Sequence, residues 1–259
     1  MDPKTQARPG PRRPAATAAG ALALVVGVAV LLLLPLLLLQ ARVPGWQAWW
    51  WLPRGPETKA AAGDRVLVEL FVMSRCPDAV KVEAVFADVV PAVHAIMDVE
   101  LKFIGAPDPN ATTGVRCKHG DAECQGNIDE LCALAHSRGD LPGFWRFLGC
   151  LNGRAADIGR DSGLALQCAS AAGLDTAAFV ACTTSKEGRA RLLQSAVDSQ
   201  RAGIATSATV RIDGHTRCVE DGGWRDCPGG HGASDFIRDI CAAYRGARPR
   251  PSVCAQYPR

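Results

Sequence analysis

The chain has 259 residues, a net charge of +3 and 21% charged side chains. Acids and bases are interspersed after residue 55, which excludes a nucleic-acid face built from clustered positive charge. Hydrophobic residues make up 48%; setting aside roughly the first 60 positions leaves about 200, enough for one domain with a sizeable core.

Residues 1–14 read as a cytosolic tail carrying Lys4, Arg8, Arg12 and Arg13 against the single acid Asp2. Residues 15–39 hold no charged side chain. As a helix, about 25 residues reach ~37 Å, against a hydrocarbon core of ~30 Å. Only Arg42 and Arg54 stand close on the far side, so the positive-inside rule keeps the N-terminus cytosolic and exports the rest. Trp46, Trp49, Trp50 and Trp51 fall where interfacial indoles sit. A cleaved signal peptide competes with this signal anchor, but its apolar region is normally shorter. Both readings make the remainder lumenal or extracellular, as in a single-pass type II membrane protein of the secretory or endolysosomal system. Residues 40–64 form a juxtamembrane linker.

Residues 65–73 (RVLVELFVM) are a near-continuous apolar run of strand length. From Asp78 on, Val82, Val85, Phe86, Val89, Val90 and Val93 recur at helical spacing, and Pro91 is expected to end or kink that helix. Residues 99–104 are a second strand. Residues 117–203 read as helical, with Cys124, Ile128, Leu131, Cys132 and Ala135 as one stripe. Pro142 suits a first helical turn, Asp175 an N-cap, and residues 185–201 a further helix. Thr209 to Ile212 is a strand, and Asp213-Gly214 turns it into a hairpin through Val219. Ser234 is expected to cap a last helix through Phe236, Ile237, Ile240 and Tyr244. Residues 245–259, rich in Arg and Pro, read as an irregular tail. The plan is α/β: strand, helix, strand, a helical insertion, a hairpin and a closing helix, spanning residues 65–244.

Cysteine carries the chemistry. All eleven lie at or after Cys76, a density that fits staples formed in an oxidising compartment. The odd count leaves one over. Cys76 precedes Pro77 at the start of the first helix, hence at its N-cap. Unpaired N–H groups and the dipole favour a thiolate there; Arg75 is expected to reinforce that and Asp78 to oppose it. The same position also suits a small, inert, buried thiol. Ala79 stands where a C-x-x-C pair would place its second cysteine. The other ten, Cys117, Cys124, Cys132, Cys150, Cys168, Cys182, Cys218, Cys227, Cys241 and Cys254, can close five bridges. Cys218 and Cys227 flank a Gly-rich turn and are the expected local pair. A zinc site of Cys117, His119, Cys124 and Cys132 lacks the usual close knuckle. Asn110-Ala111-Thr112 is a glycosylation sequon.

Residues 117–132, CKHGDAECQGNIDELC, resemble the signature of the GILT (gamma-interferon-inducible lysosomal thiol reductase) family, C-Q-H-G-x-x-E-C-x-x-N-x-x-x-x-C. Cys117, His119, Gly120, Glu123, Cys124, Asn127 and Cys132 match, and Lys118 replaces Gln. The resemblance covers roughly residues 65–244. It implies a thioredoxin-like fold, here with an all-helical insertion, lumenal or lysosome-like residence, glycosylation, and reduction of protein disulfides. Cys76 is then the expected nucleophile, needing no cofactor, with its mixed disulfide resolved by a substrate thiol or a small external thiol. Two positions depart from the family pattern. Ala79 replaces the second active-site cysteine, and Ser207-Ala208 stand where a thioredoxin-like chain carries a cis-proline. A redox-inactive binding or chaperone module is the competing reading.

Overall fold

The computed structural model describes residues 64–257. The expected cytosolic tail, membrane span and most of the linker lie outside the described residues, as do residues 258–259. Among those described, no helix is long and apolar enough to cross a membrane.

The chain runs β1 (Val66–Val72), α1 (Pro77–Val93), β2 (Met97–Phe103), β3 (Ala106–Pro107), β4 (Val115–Arg116), α2 (Asp121–His136), α3 (Leu141–Asn152), α4 (Leu164–Ala171), α5 (Thr176–Thr183), α6 (Lys186–Arg201), β5 (Thr209–Ile212), β6 (His215–Glu220), β7 (Trp224–Arg225) and α7 (Ala233–Ala243). The main sheet has the order β2-β1-β5-β6-β7, and β3 pairs with β4 in a separate ribbon. β1 is parallel to β2, in register from Val66 opposite Met97 to Val72 opposite Phe103, and antiparallel to β5. A βαβ unit joined to an antiparallel hairpin and closed by a helix is a thioredoxin-like α/β arrangement. The α2–α6 segment is its helical insertion, between β4 and β5.

Burial explains the sequence pattern. β1 is an interior strand covered on both faces, so it reads as a near-continuous apolar run interrupted only by Glu69; β2 alternates because one face is partly open. β2 is also the sheet edge, and α6 covers it. Ser195 Oγ accepts the Phe103 N–H at 2.7 Å and donates to the Leu101 carbonyl, while Ser199 Oγ donates to the Phe103 carbonyl. These bonds occupy edge groups that would otherwise template another strand. Phe86 of α1 packs between Phe236 of α7 and Trp145 of α3.

Three local expectations change. Pro91 lies inside α1, and the helix continues to Val93; so near the C-terminus the ring sacrifices one hydrogen bond of the last turn rather than breaking the helix. Ser234 is not the cap of α7. Gly232 is, and its N–H donates to the Asp235 carboxylate at 3.0 Å, because an acid at N3 reaches back to the chain start. The tail bends through residues 245–251 into a short 3-10 turn at Ser252–Gln256, tied down by the Cys241–Cys254 bridge and by the Tyr244 hydroxyl donating to the Arg248 carbonyl.

Candidate active site

The end of β1 leads through Met73, Ser74 and Arg75 to Cys76, the N-cap of α1. The N–H of Cys76 donates to the Met73 carbonyl at 2.9 Å, which turns the chain from strand to helix. Cys76 is the free cysteine among the described residues. The other ten form Cys117–Cys124, Cys132–Cys182, Cys150–Cys168, Cys218–Cys227 and Cys241–Cys254. The zinc reading therefore fails: the sulfurs of Cys117, Cys124 and Cys132 are spent in bridges.

Of the two sequence expectations for Cys76, the ionised thiolate and the buried thiol, the burial fits the second. Its thiol is covered, with 6% of the residue exposed. The cause is the packing of the first turn of α1, where Ala79 and Val82 enter the core, and the loop before β5 laid across the cap. Cys76 Sγ donates toward the Ser207 carbonyl at 3.9 Å. The Ser207–Ala208 peptide is cis, and Ala208 is held by a pair of backbone bonds to Glu220 at 2.8 and 2.9 Å. The position read from sequence as lacking the cis-proline is thus the segment that faces the thiol.

The charges nearby are not aimed at the sulfur. Arg75 donates its guanidinium to the carbonyls of Ala156 and Ile158, so the cation expected to favour a thiolate instead clasps the insertion. Asp78 accepts from Lys81 at 3.0 Å and from the Gly222 N–H. Partial burial works against its carboxylate, but these bonds outweigh it and hold its pKa below the ordinary range. Lys81 also bonds the buried Glu220 at 2.7 Å, and that bond, with the one to Asp78, raises the lysine pKa.

The signature residues build the seat for this loop. Gly120, with φ of 80°, starts α2 in a conformation that favours glycine. His119 clasps Glu123 twice, through its backbone N–H and its ring Nδ1. Asn127 is fully buried. Its Oδ1 accepts the Ser74 N–H at 2.9 Å and its amide reaches Cys117 Sγ at 3.7 Å. Ser74 Oγ donates to the Glu123 carbonyl at 3.1 Å, and a Cβ on Gly126 would sit 2.5 Å from Ser74 Oγ, so only glycine lets α2 approach this closely. Asn127 thereby links the Cys117–Cys124 bridge to the loop that ends in Cys76. Sequence reasoning named Asn127 for its match alone and missed Ser74, since a serine two residues before a cysteine carries no signal of its own.

Residues 67–172 match the model of the family described as gamma interferon inducible lysosomal thiol reductase (GILT). Over that stretch the chain resembles this family. No curated protein matches it closely enough to be called a relative. Among solved structures, the chain is similar to MdbA, a thiol-disulfide oxidoreductase from Corynebacterium diphtheriae, at 14% identity and a TM-score of 0.45, over 61% of this chain and 80% of that one. It is also similar to reduced DsbA1 from Neisseria meningitidis, at 14% identity and a TM-score of 0.44, over 70% and 84%. Within the GILT-like domain, Asn110 is exposed in the loop between β3 and β4.

Proposed function

We propose that this domain carries out thiol–disulfide exchange on protein disulfides in an oxidising lumenal compartment, with Cys76 as its single nucleophile. The observation that carries the reading is one unbridged thiol at a helix N-cap, in a GILT-like domain whose ten other described cysteines are paired. A thiolate at that position attacks one sulfur of a client disulfide; the S–S bond breaks, the other sulfur leaves as a thiolate, and a mixed disulfide forms. With Ala79 in place of a second cysteine, resolution is external. A client thiolate that displaces Cys76 leaves the client isomerised, with no net redox change. Alternatively, one small thiol displaces the reduced client and a second frees Cys76. Two electrons then pass from two thiols, which become a disulfide, to the client disulfide. Because the sulfur is covered, the Ser207 loop must yield for a client to reach it.

A second reading, a client-binding module without redox chemistry, is favoured by the burial of Cys76 and by Ala79. Trapping separates the two. The full chain is incubated with a disulfide-containing client, acid-quenched and run without reductant. Exchange predicts a mixed disulfide with wild type and none with Cys76→Ser. If wild type traps no more than Cys76→Ser while the client still binds, the binding module stands in its place.

The lumenal placement, with residues 15–39 as a type II anchor, is part of the same reading. Expressed in cells with an N-glycosylation pathway, the chain is expected to carry on Asn110 a glycan that an endoglycosidase removes. An identical gel position for wild type and Asn110→Gln, with and without the enzyme, counts against it.

A further inference from the structure

Cys76 Sγ lies beneath the Ser207 carbonyl, and that carbonyl is held in place from another strand. Ala208 has an N–H to give, which a proline at this position would lack, and donates it to the Glu220 carbonyl at 2.8 Å. The Glu220 N–H returns a bond to the Ala208 carbonyl at 2.9 Å. The cover over the thiol is therefore fastened to Glu220, the last residue of β6.

Glu220 is in turn fastened to the helix that starts at the thiol. Its side chain is 1% exposed. Oε1 accepts from Lys81 Nζ of α1 at 2.7 Å, and Oε2 has no partner. Among the described residues, Lys81 is the one cation bridged to it. Asp78 steadies that cation at 3.0 Å and, through its other oxygen, accepts the Gly222 N–H at 3.2 Å. Asp78 and Lys81 thus join the first turns of α1 to the end of β6 and to the turn that follows it. A carboxylate this deep is costly without its cation, because the charge is then neither hydrated nor paired. Losing Lys81 favours moving Glu220 toward water, and its backbone would carry Ala208 and the Ser207 carbonyl with it.

We propose that Asp78, Lys81 and Glu220 form an ionic clasp that sets how often Cys76 is uncovered, with Lys81 and Glu220 as positioning residues that act through the Ser207–Ala208 backbone. This gate rests on the reading of Cys76 as the nucleophile. A client meets the thiol only in the fraction of molecules whose clasp is open, so the clasp scales the rate of exchange without touching the reacting sulfurs.

The test is the rate at which iodoacetamide alkylates Cys76 in the full, oxidised chain in detergent, with Cys76→Ser as the blank. Lys81→Met is expected to speed labelling about tenfold, the scale of one lost hydrogen bond between charged groups. Lys81→Arg keeps the cation and is expected to stay within about twofold of wild type. Lys102→Met cuts a bridge to Asp198 on α6 instead, and is expected to leave the rate unchanged. The clasp is overturned if Lys81→Met labels at the wild-type rate, if Lys102→Met speeds labelling as much, or if Lys81→Arg is as fast as Lys81→Met. Should Lys81→Met not fold, hydrogen exchange of wild type decides. The Ala208 and Glu220 amides are expected to exchange as Cys76 labels, and amides that stay protected through complete labelling refute the clasp. The two readings fail separately: a client that is never trapped removes exchange and leaves these rates as they are, whereas rates indifferent to Lys81 remove the clasp alone.

Discussion

The β1–α1–β2 unit and the helical insertion are built on opposite terms. The first holds no disulfide and one free thiol, and its cohesion is apolar: Val68, Leu70, Val72, Val82, Phe86 and Val89 are fully buried. The insertion carries Cys132–Cys182 and Cys150–Cys168, and Cys117–Cys124 fastens its entry. It also buries Glu123, Asn127 and Glu130 in α2. A sheet face needs only apolar contacts to be held, whereas short helices that bury polar groups gain less from burial and rely on cross-links. Cys76 thus sits on the unit without staples, seated against the one that has them.

The largest expected effects break this contrast directly. Removing Cys132 and Cys182 together opens a bridge between residues 50 apart in sequence, a loss of about 4 kcal/mol on the chain-entropy scale. Phe86→Ala costs a similar ~3–5 kcal/mol through a cavity. The two should differ in form. Far-UV circular dichroism is expected to show an early loss of helix for the disulfide variant and one cooperative transition for Phe86→Ala. Indistinguishable single transitions would mean that the two regions are not held separately.

A smaller effect sharpens the contrast where the regions meet. Asn127→Ala leaves the Ser74 N–H without its acceptor inside the protein, at about 2 kcal/mol. The loop before Cys76 is expected to loosen with it, so alkylation of the thiol should speed up. A variant that is destabilised but alkylates at the wild-type rate would show that the α2 seat does not govern access to Cys76.

The elements were legible where their cause is local. β1 and β2 announce themselves by apolar run and alternation, the hairpin by Asp213-Gly214, where both residues take positive φ, and α5 by Asp175, whose carboxylate accepts the Ala178 N–H. The face of α2 was legible only in part. Of the expected stripe, Cys124, Ile128 and Cys132 are buried and Leu131 is half-buried, but Ala135 is exposed, and Glu123, Asn127 and Glu130 are buried as well. Hydrophobic periodicity misses a face that buries polar residues, because what makes their burial tolerable lies on other elements.

Residue order alone determined the α/β plan, the place of Cys76 at a strand-to-helix turn and the signature of the insertion, since each follows from chemistry within a few positions of itself. Which distant cysteines join, how deeply the Cys76 sulfur lies beneath Ser207, and that Asn152 reaches the buried Glu83 were decided only by the packed chain. Those features depend on groups tens of residues apart, and only the closing of the core brings them into reach.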